Sequence, residues 1–167
     1  MTSLAAEPLS AGAFAQFGRL VERPIRRPDA TGPGWQWWAE TALLPADARS
    51  FGIGYLDLRP HAPRFDWAER HMRSVEVVVP LDGDCLAYVG PPEDLEHPER
   101  IPSRHRFRVF RIPVGSGIAM EPGVWHGAPL AIDAPVRAIV LLLEGTGAND
   151  TVLVQFPDDA VEIGGVS

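Results

Sequence analysis

Proline and glycine punctuate this chain so densely that long helices have little room, with 17 Pro and 16 Gly among 167 residues. Each Pro fixes φ and removes a backbone donor, and each Gly weakens a regular element from within, so the chain favours short strands joined by reversals. The apolar residues follow that pattern. Gly52 to Leu58, Cys85 to Val89 and Phe107 to Ile112 read as strands, and Val136 to Leu143 is the most apolar run. A run apolar on both sides predicts burial on both faces. Eight or more short strands with one short helix predict an all-β sandwich or barrel. The length predicts a single domain over residues 1–167, large enough to bury a sizeable core.

In chain order, PLSAGAFAQFG predicts a short N-terminal helix, capped by Ser10, ended by Gly18, with Phe14 and Phe17 on one face. Leu20 and Val21 start the first expected strand, and 23–34 reads as a surface loop. Trp35, Trp37 and Trp38 are expected to cover a core edge or a subunit interface. The Pro-rich stretch from Gly90 to Arg106 is expected to run over the surface with His97 and His105 solvated. TVLVQF, from Thr151 to Phe156, is the expected last strand.

Composition excludes several classes. The net charge of -7 argues against nucleic acid, which requires a basic face. All 15 basic residues are Arg, which reads as codon bias and excludes Schiff-base chemistry on Lys. The lone Cys85 forms no internal disulfide and fits a buried apolar position in a reducing compartment. The N-terminus lacks a secretory pattern and no apolar run is long enough to cross a bilayer, so the expected location is the cytoplasm.

The chemistry concentrates between Glu69 and Gly83, in ERHMRSVEVVVPLDG. Glu69 and His71 are two apart and share a face of a strand; Arg73 and Ser74 mark a reversal; Glu76 opens the next strand. His126 arrives from VWHGAP. Two imidazoles and two carboxylates, Glu69, His71, Glu76 and His126, suit one divalent ion such as Ni, Mn, Fe or Zn. Taken singly, each His also fits a core position satisfied by carbonyls; their joint spacing favours a functional cavity. Arg59 ends a strand leading towards this cluster, and Arg59, Arg70 and Arg73 read as charges on its rim, with Arg59 and Arg73 the candidates for binding a substrate carboxylate, Arg59 first.

The spacing from His71 to Glu76 to Gly83, and that from Gly115 through Glu121-Pro122-Gly123 to His126, resembles the two motifs of the cupin superfamily. Glu69 stands where those motifs usually have a first His, and Glu121 where they usually have Pro. Within the cupins the chain resembles the ureidoglycolate lyases over nearly its whole length. The matching pieces are PLSAGAFAQFG, Leu58-Arg59, ERH at 69–71, Pro80 to Gly83, VWH at 124–126 with Pro129-Leu130, and GTGAND at 145–150. Gly127 replaces a second His of that family, and Glu144 replaces a basic residue.

The resemblance implies a double-stranded β-helix barrel, a homodimer, and elimination of urea from ureidoglycolate to leave glyoxylate. Either Glu76 or Glu69 would be the base and His126 the acid, with His71 beside them and Arg59, Arg73 or a metal ion holding the substrate; no organic cofactor is implied. The alternatives are a cupin module that binds a small carboxylate or sugar acid without turnover, and another metal-dependent cupin enzyme such as an isomerase or dioxygenase.

Overall fold

The structure is a computed structural model that describes residues 2–22, 25–28, 30–32, 35–37, 50–156 and 160–165. The early strands are β1 (Ser3–Pro8), β2 (Gly18–Val21), β3 (Ala30–Gly32), β4 (Trp35–Trp37) and β5 (Phe51–Leu58). The central ones are β6 (Arg64–Phe65), β7 (Trp67–Arg70), β8 (Glu76–Pro80), β9 (Cys85–Gly90), β10 (Arg108–Ile112) and β11 (Gly117–Met120). The chain then forms β12 (Trp125–His126), β13 (Leu130–Ala131), β14 (Val136–Leu143), β15 (Val152–Gln155) and β16 (Val161–Gly164). Helix α1 (Ala11–Phe14) and helix α2 (Thr146–Asn149) are single turns.

The strands form two main sheets that face each other as a barrel-like, cupin-type all-β fold. The larger runs β15-β7-β12-β9-β10-β1-β16-β6, with β13 also on β9. The smaller runs β2-β11-β8-β14-β5. Burial follows residue parity along β9: Cys85, Ala87 and Val89 face a core cluster between the sheets, whereas Leu86 and Tyr88 face a second cluster behind the larger sheet. The first cluster includes Phe14, Phe17 and Phe110, whose ring centroids lie 5.4 to 5.8 Å apart in tilted and edge-on pairs.

Several expectations are corrected by this arrangement. The strand buried on both faces is β9; β14 carries a half-buried stretch from Ile139 to Leu142 because its neighbour β5 lies at the sheet edge. The N-terminal helix is shorter than PLSAGAFAQFG, although the Ser10 side chain does accept from the Ala13 amide at 3.3 Å. A strand, β1, precedes it and pairs parallel with both β10 and β16. The chain therefore ends on β16 and not on the TVLVQF strand. The side chains of Trp35 and Trp37, and all of Trp38, lie outside the described residues. No helix among the described residues is long and apolar enough to cross a membrane.

Gly127 is required by a close approach. A Cβ there would stand 1.7 Å from the hydroxyl of Tyr88, a buried residue that donates to the Trp67 carbonyl at 3.0 Å. We predict that Gly127→Ala destabilises the fold by about 1–3 kcal/mol, the range for overpacking. Tyr88→Leu should recover much of that loss in the double variant, as read from urea-unfolding midpoints; strictly additive effects would contradict the contact.

Candidate active site

The site forms where β7 and β12 of the larger sheet face the start of β8 in the smaller one. Glu69 on β7 pairs in register with His126 on β12, which places the two side chains across adjacent strands. His71 follows the end of β7, and Glu76 opens β8 opposite Met120. His71, Glu76 and His126 are buried and Glu69 is half-buried. The His71 and His126 rings lie 5.1 Å apart between centroids. Glu69, His71 and His126 each offer a ligand atom within 4.8 Å of the others.

Glu76 joins the two imidazoles. Its Oε2 lies 3.1 Å from Nε2 of His71 and 3.1 Å from Nε2 of His126. The far nitrogens face carbonyls: Nδ1 of His71 lies 3.0 Å from the Asp150 carbonyl and Nδ1 of His126 lies 2.9 Å from that of Val124. A carbonyl only accepts, so each Nδ1 carries the proton and donates. Each Nε2 then faces the carboxylate favourably only as the N–H of an imidazolium or with a cation between them. Burial pushes the Glu76 carboxyl upward, but His126 and His71 outweigh it and hold it down at about 2. Burial likewise opposes charge on His126, yet Glu76 and the Val124 carbonyl raise its pKa overall.

The loops that fix these rings were only partly legible. GTGAND forms α2 and the turn after it, and Asp150 does most of the positioning. Its carbonyl anchors His71, while its carboxylate accepts from the amides of Met72 at 3.1 Å and Arg73 at 2.8 Å. Thr151 Oγ1 lies 3.3 Å from the same His71 Nδ1. The EPG turn is held by a bond from the Gly123 amide to the His71 carbonyl at 2.7 Å, with Gly123 at φ +85°. That conformation favours glycine. It leads straight to the Val124 carbonyl that orients His126. The signal for Asp150 was present in the turn residues, but nothing in the spacing tied a turn near 150 to His71.

The three nearby arginines separate. Arg70 is not a rim charge: it is fully buried and donates to the carbonyls of Glu93, Asp94, His97 and Pro98 at 2.7 to 3.1 Å, with its guanidinium 4.5 Å from the Trp125 ring centroid. The Pro-rich excursion is thereby folded onto the back of β7, while His97 and His105 are exposed as expected. Arg73 is exposed and bonds Asp150 at 3.3 Å and the Asn149 carbonyl at 2.6 Å, bracing the loop behind His71. Arg59 lines a cavity next to the one that holds Glu69, His71 and Glu76. The latter, of about 350 Å³, is also lined by Tyr55 and Leu56 of β5 and by Pro129, Val140 and Leu142.

The donor set fits one divalent ion. Two imidazoles with their Nδ1 protons fixed by carbonyls present Nε2 lone pairs, and Glu69 adds an oxygen, the arrangement borderline metals take.

Residues 1–163 match the family model described as ureidoglycolate lyase. A ureidoglycolate lyase of Rhodobacter capsulatus is 33% identical over 160 residues, covering 89% of this chain and 91% of that protein. A ureidoglycolate lyase of Azotobacter vinelandii is 30% identical over 155 residues, covering 89% of this chain and 90% of that one. The chain belongs to the ureidoglycolate lyase family.

Proposed function

We propose that this protein is a ureidoglycolate lyase, which eliminates urea from ureidoglycolate to leave glyoxylate. The observation that carries the reading is the buried cluster of two imidazoles and two carboxylates, of which Glu69, His71 and Glu76 line a cavity sized for a small acid. Elimination needs a base for the carbinol hydroxyl proton and an acid for the departing nitrogen, as the C–N pair leaves with urea and the C=O of glyoxylate forms. Glu76, held at about 2, is a weak base. Its role is the fixed anion that orients both rings and favours the charged form of His126. Glu69, facing His126 across the strand pair, takes the hydroxyl proton, and His126, whose pKa is raised, delivers one to the leaving nitrogen.

The same residues define a metal reading. A divalent ion held by Glu69, His71 and His126 would polarise the substrate hydroxyl and bind its carboxylate, so that the hydroxyl loses its proton more easily. The cavity lining supports this, because among the described residues it presents two carboxylates and no arginine to an anionic substrate. Among the described lining residues, the His71 imidazole or a cation bound beside it is what attracts that substrate.

Glyoxylate release from ureidoglycolate tests the reading. We predict turnover by the wild type, with His71→Ala and His126→Ala each lowering kcat/KM by at least about 100-fold while the protein remains folded by circular dichroism. Absence of glyoxylate above the uncatalysed background, alongside ligand-dependent melting, would favour a binding module. Protein prepared without a His tag should carry one divalent ion, and chelation should reduce its rate, with recovery on adding the ion back. Undiminished turnover after exhaustive chelation and metal analysis would leave acid–base chemistry on Glu69 and His126 alone.

A further inference from the structure

The catalytic cavity leaves the recognition of an anionic acid unfinished, and a larger cavity beside it supplies what is missing. This second cavity, of about 590 Å³, shares Ala128 and Pro129 with the first, so the two adjoin at a wall that includes these residues. That wall directly follows His126 and Gly127. The lining of the second cavity carries the exposed Arg59, Arg64, Asp57 and Asp66 and the half-buried Trp67. Among the described residues neither Arg59 nor Arg64 is engaged by a carboxylate, although two carboxylates share the rim. Beneath that lining Phe65 stacks on the buried Tyr88 at 3.9 Å, and the Tyr88 hydroxyl donates to the Trp67 carbonyl at 3.0 Å.

We propose that this second cavity is a recognition site for small ureido acids, a chemistry it fits at both ends. A guanidinium that no described carboxylate engages offers a ligand carboxylate two parallel N–H donors, and an aspartate accepts the N–H groups of a ureido end. The net charge of -7 repels an anionic acid from the molecule as a whole, which gives a local pair of arginines value as a capture point. The acid captured there is the one turned over across the Ala128–Pro129 wall, so this assignment of substrate class rests on the lyase reading, but the site itself does not.

Hydantoate, N-carbamoylglycine, separates the two. It keeps the carboxylate and the ureido group of ureidoglycolate but lacks the hydroxyl whose proton must leave, so it binds without reacting. Calorimetric titration of the folded full chain should show hydantoate binding that weakens by about tenfold or more in Arg59→Gln/Arg64→Gln, the loss expected for charge-assisted hydrogen bonds. Glu76→Gln, in the catalytic cavity, should change that affinity by less than about threefold. With ureidoglycolate the arginine variant should lose a similar factor in kcat/KM, chiefly through KM. Unchanged hydantoate affinity in the arginine variant, no hydantoate binding by the wild type, or loss of binding on Glu76→Gln alone would each overturn the proposal. Arginine-dependent hydantoate binding by a wild type that releases no glyoxylate would sink the lyase reading and leave the ureido-acid site standing.

Discussion

A buried carboxylate oxygen that touches two imidazole nitrogens governs this structure. Removing a carboxylate from water costs several kcal/mol unless positive charge or hydrogen bonds replace the lost hydration. Glu76 meets that demand with Nε2 of His71 and Nε2 of His126, each at 3.1 Å. Neither ring can satisfy it as a neutral Nδ1–H tautomer, because Nε2 would then oppose a lone pair to a lone pair. The rings must be charged or share a cation, and in either case positive charge is concentrated at the one place where an anionic substrate meets acid–base groups.

The surrounding fold serves to keep both far nitrogens on their carbonyls. Asp150 grips the amides of Met72 and Arg73 and presents its carbonyl to His71, while the EPG turn presents Val124 to His126. Behind the sheet, alternate residues do a different job. Arg70 and Trp125, the chain neighbours of Glu69 and His126, stack on each other, and Arg70 collects four carbonyls from the segment 93–98. The Trp125 Nε1 has no hydrogen-bond partner among the described residues. Period-two geometry thus gives each strand a chemical face and an anchoring face.

Much of this was legible in the chain. The density of Pro and Gly forced short strands, and side chains two apart share a face, which put Glu69 and His71 together; Glu69 and His126 do meet across adjacent strands, but Glu76, expected on the strand beside His71, opens β8 in the facing sheet. Tertiary context was less legible. The run from Val136 to Leu143 is more apolar than Cys85 to Gly90, yet the latter is the strand buried on both faces, since position in the sheet order is set by pairings far apart in sequence. Arg70 read as a rim charge because nothing local announces four carbonyls contributed by a loop more than twenty residues away. Asp150 was hidden for the same reason, at a separation of 79 residues from His71.

The central claim is a statement about protons on two rings. Nitrogen-15 NMR of histidine-labelled protein at neutral pH measures it directly, through the shifts and couplings of each ring nitrogen. The account predicts that Nδ1 of both His71 and His126 is protonated, with Nε2 either protonated as well or carrying the shift of a bound diamagnetic ion such as Zn. Neutral rings with the proton on Nε2 and a bare Nδ1 would contradict it, because the carbonyls of Asp150 and Val124 would then face lone pairs and the cluster would carry no positive charge.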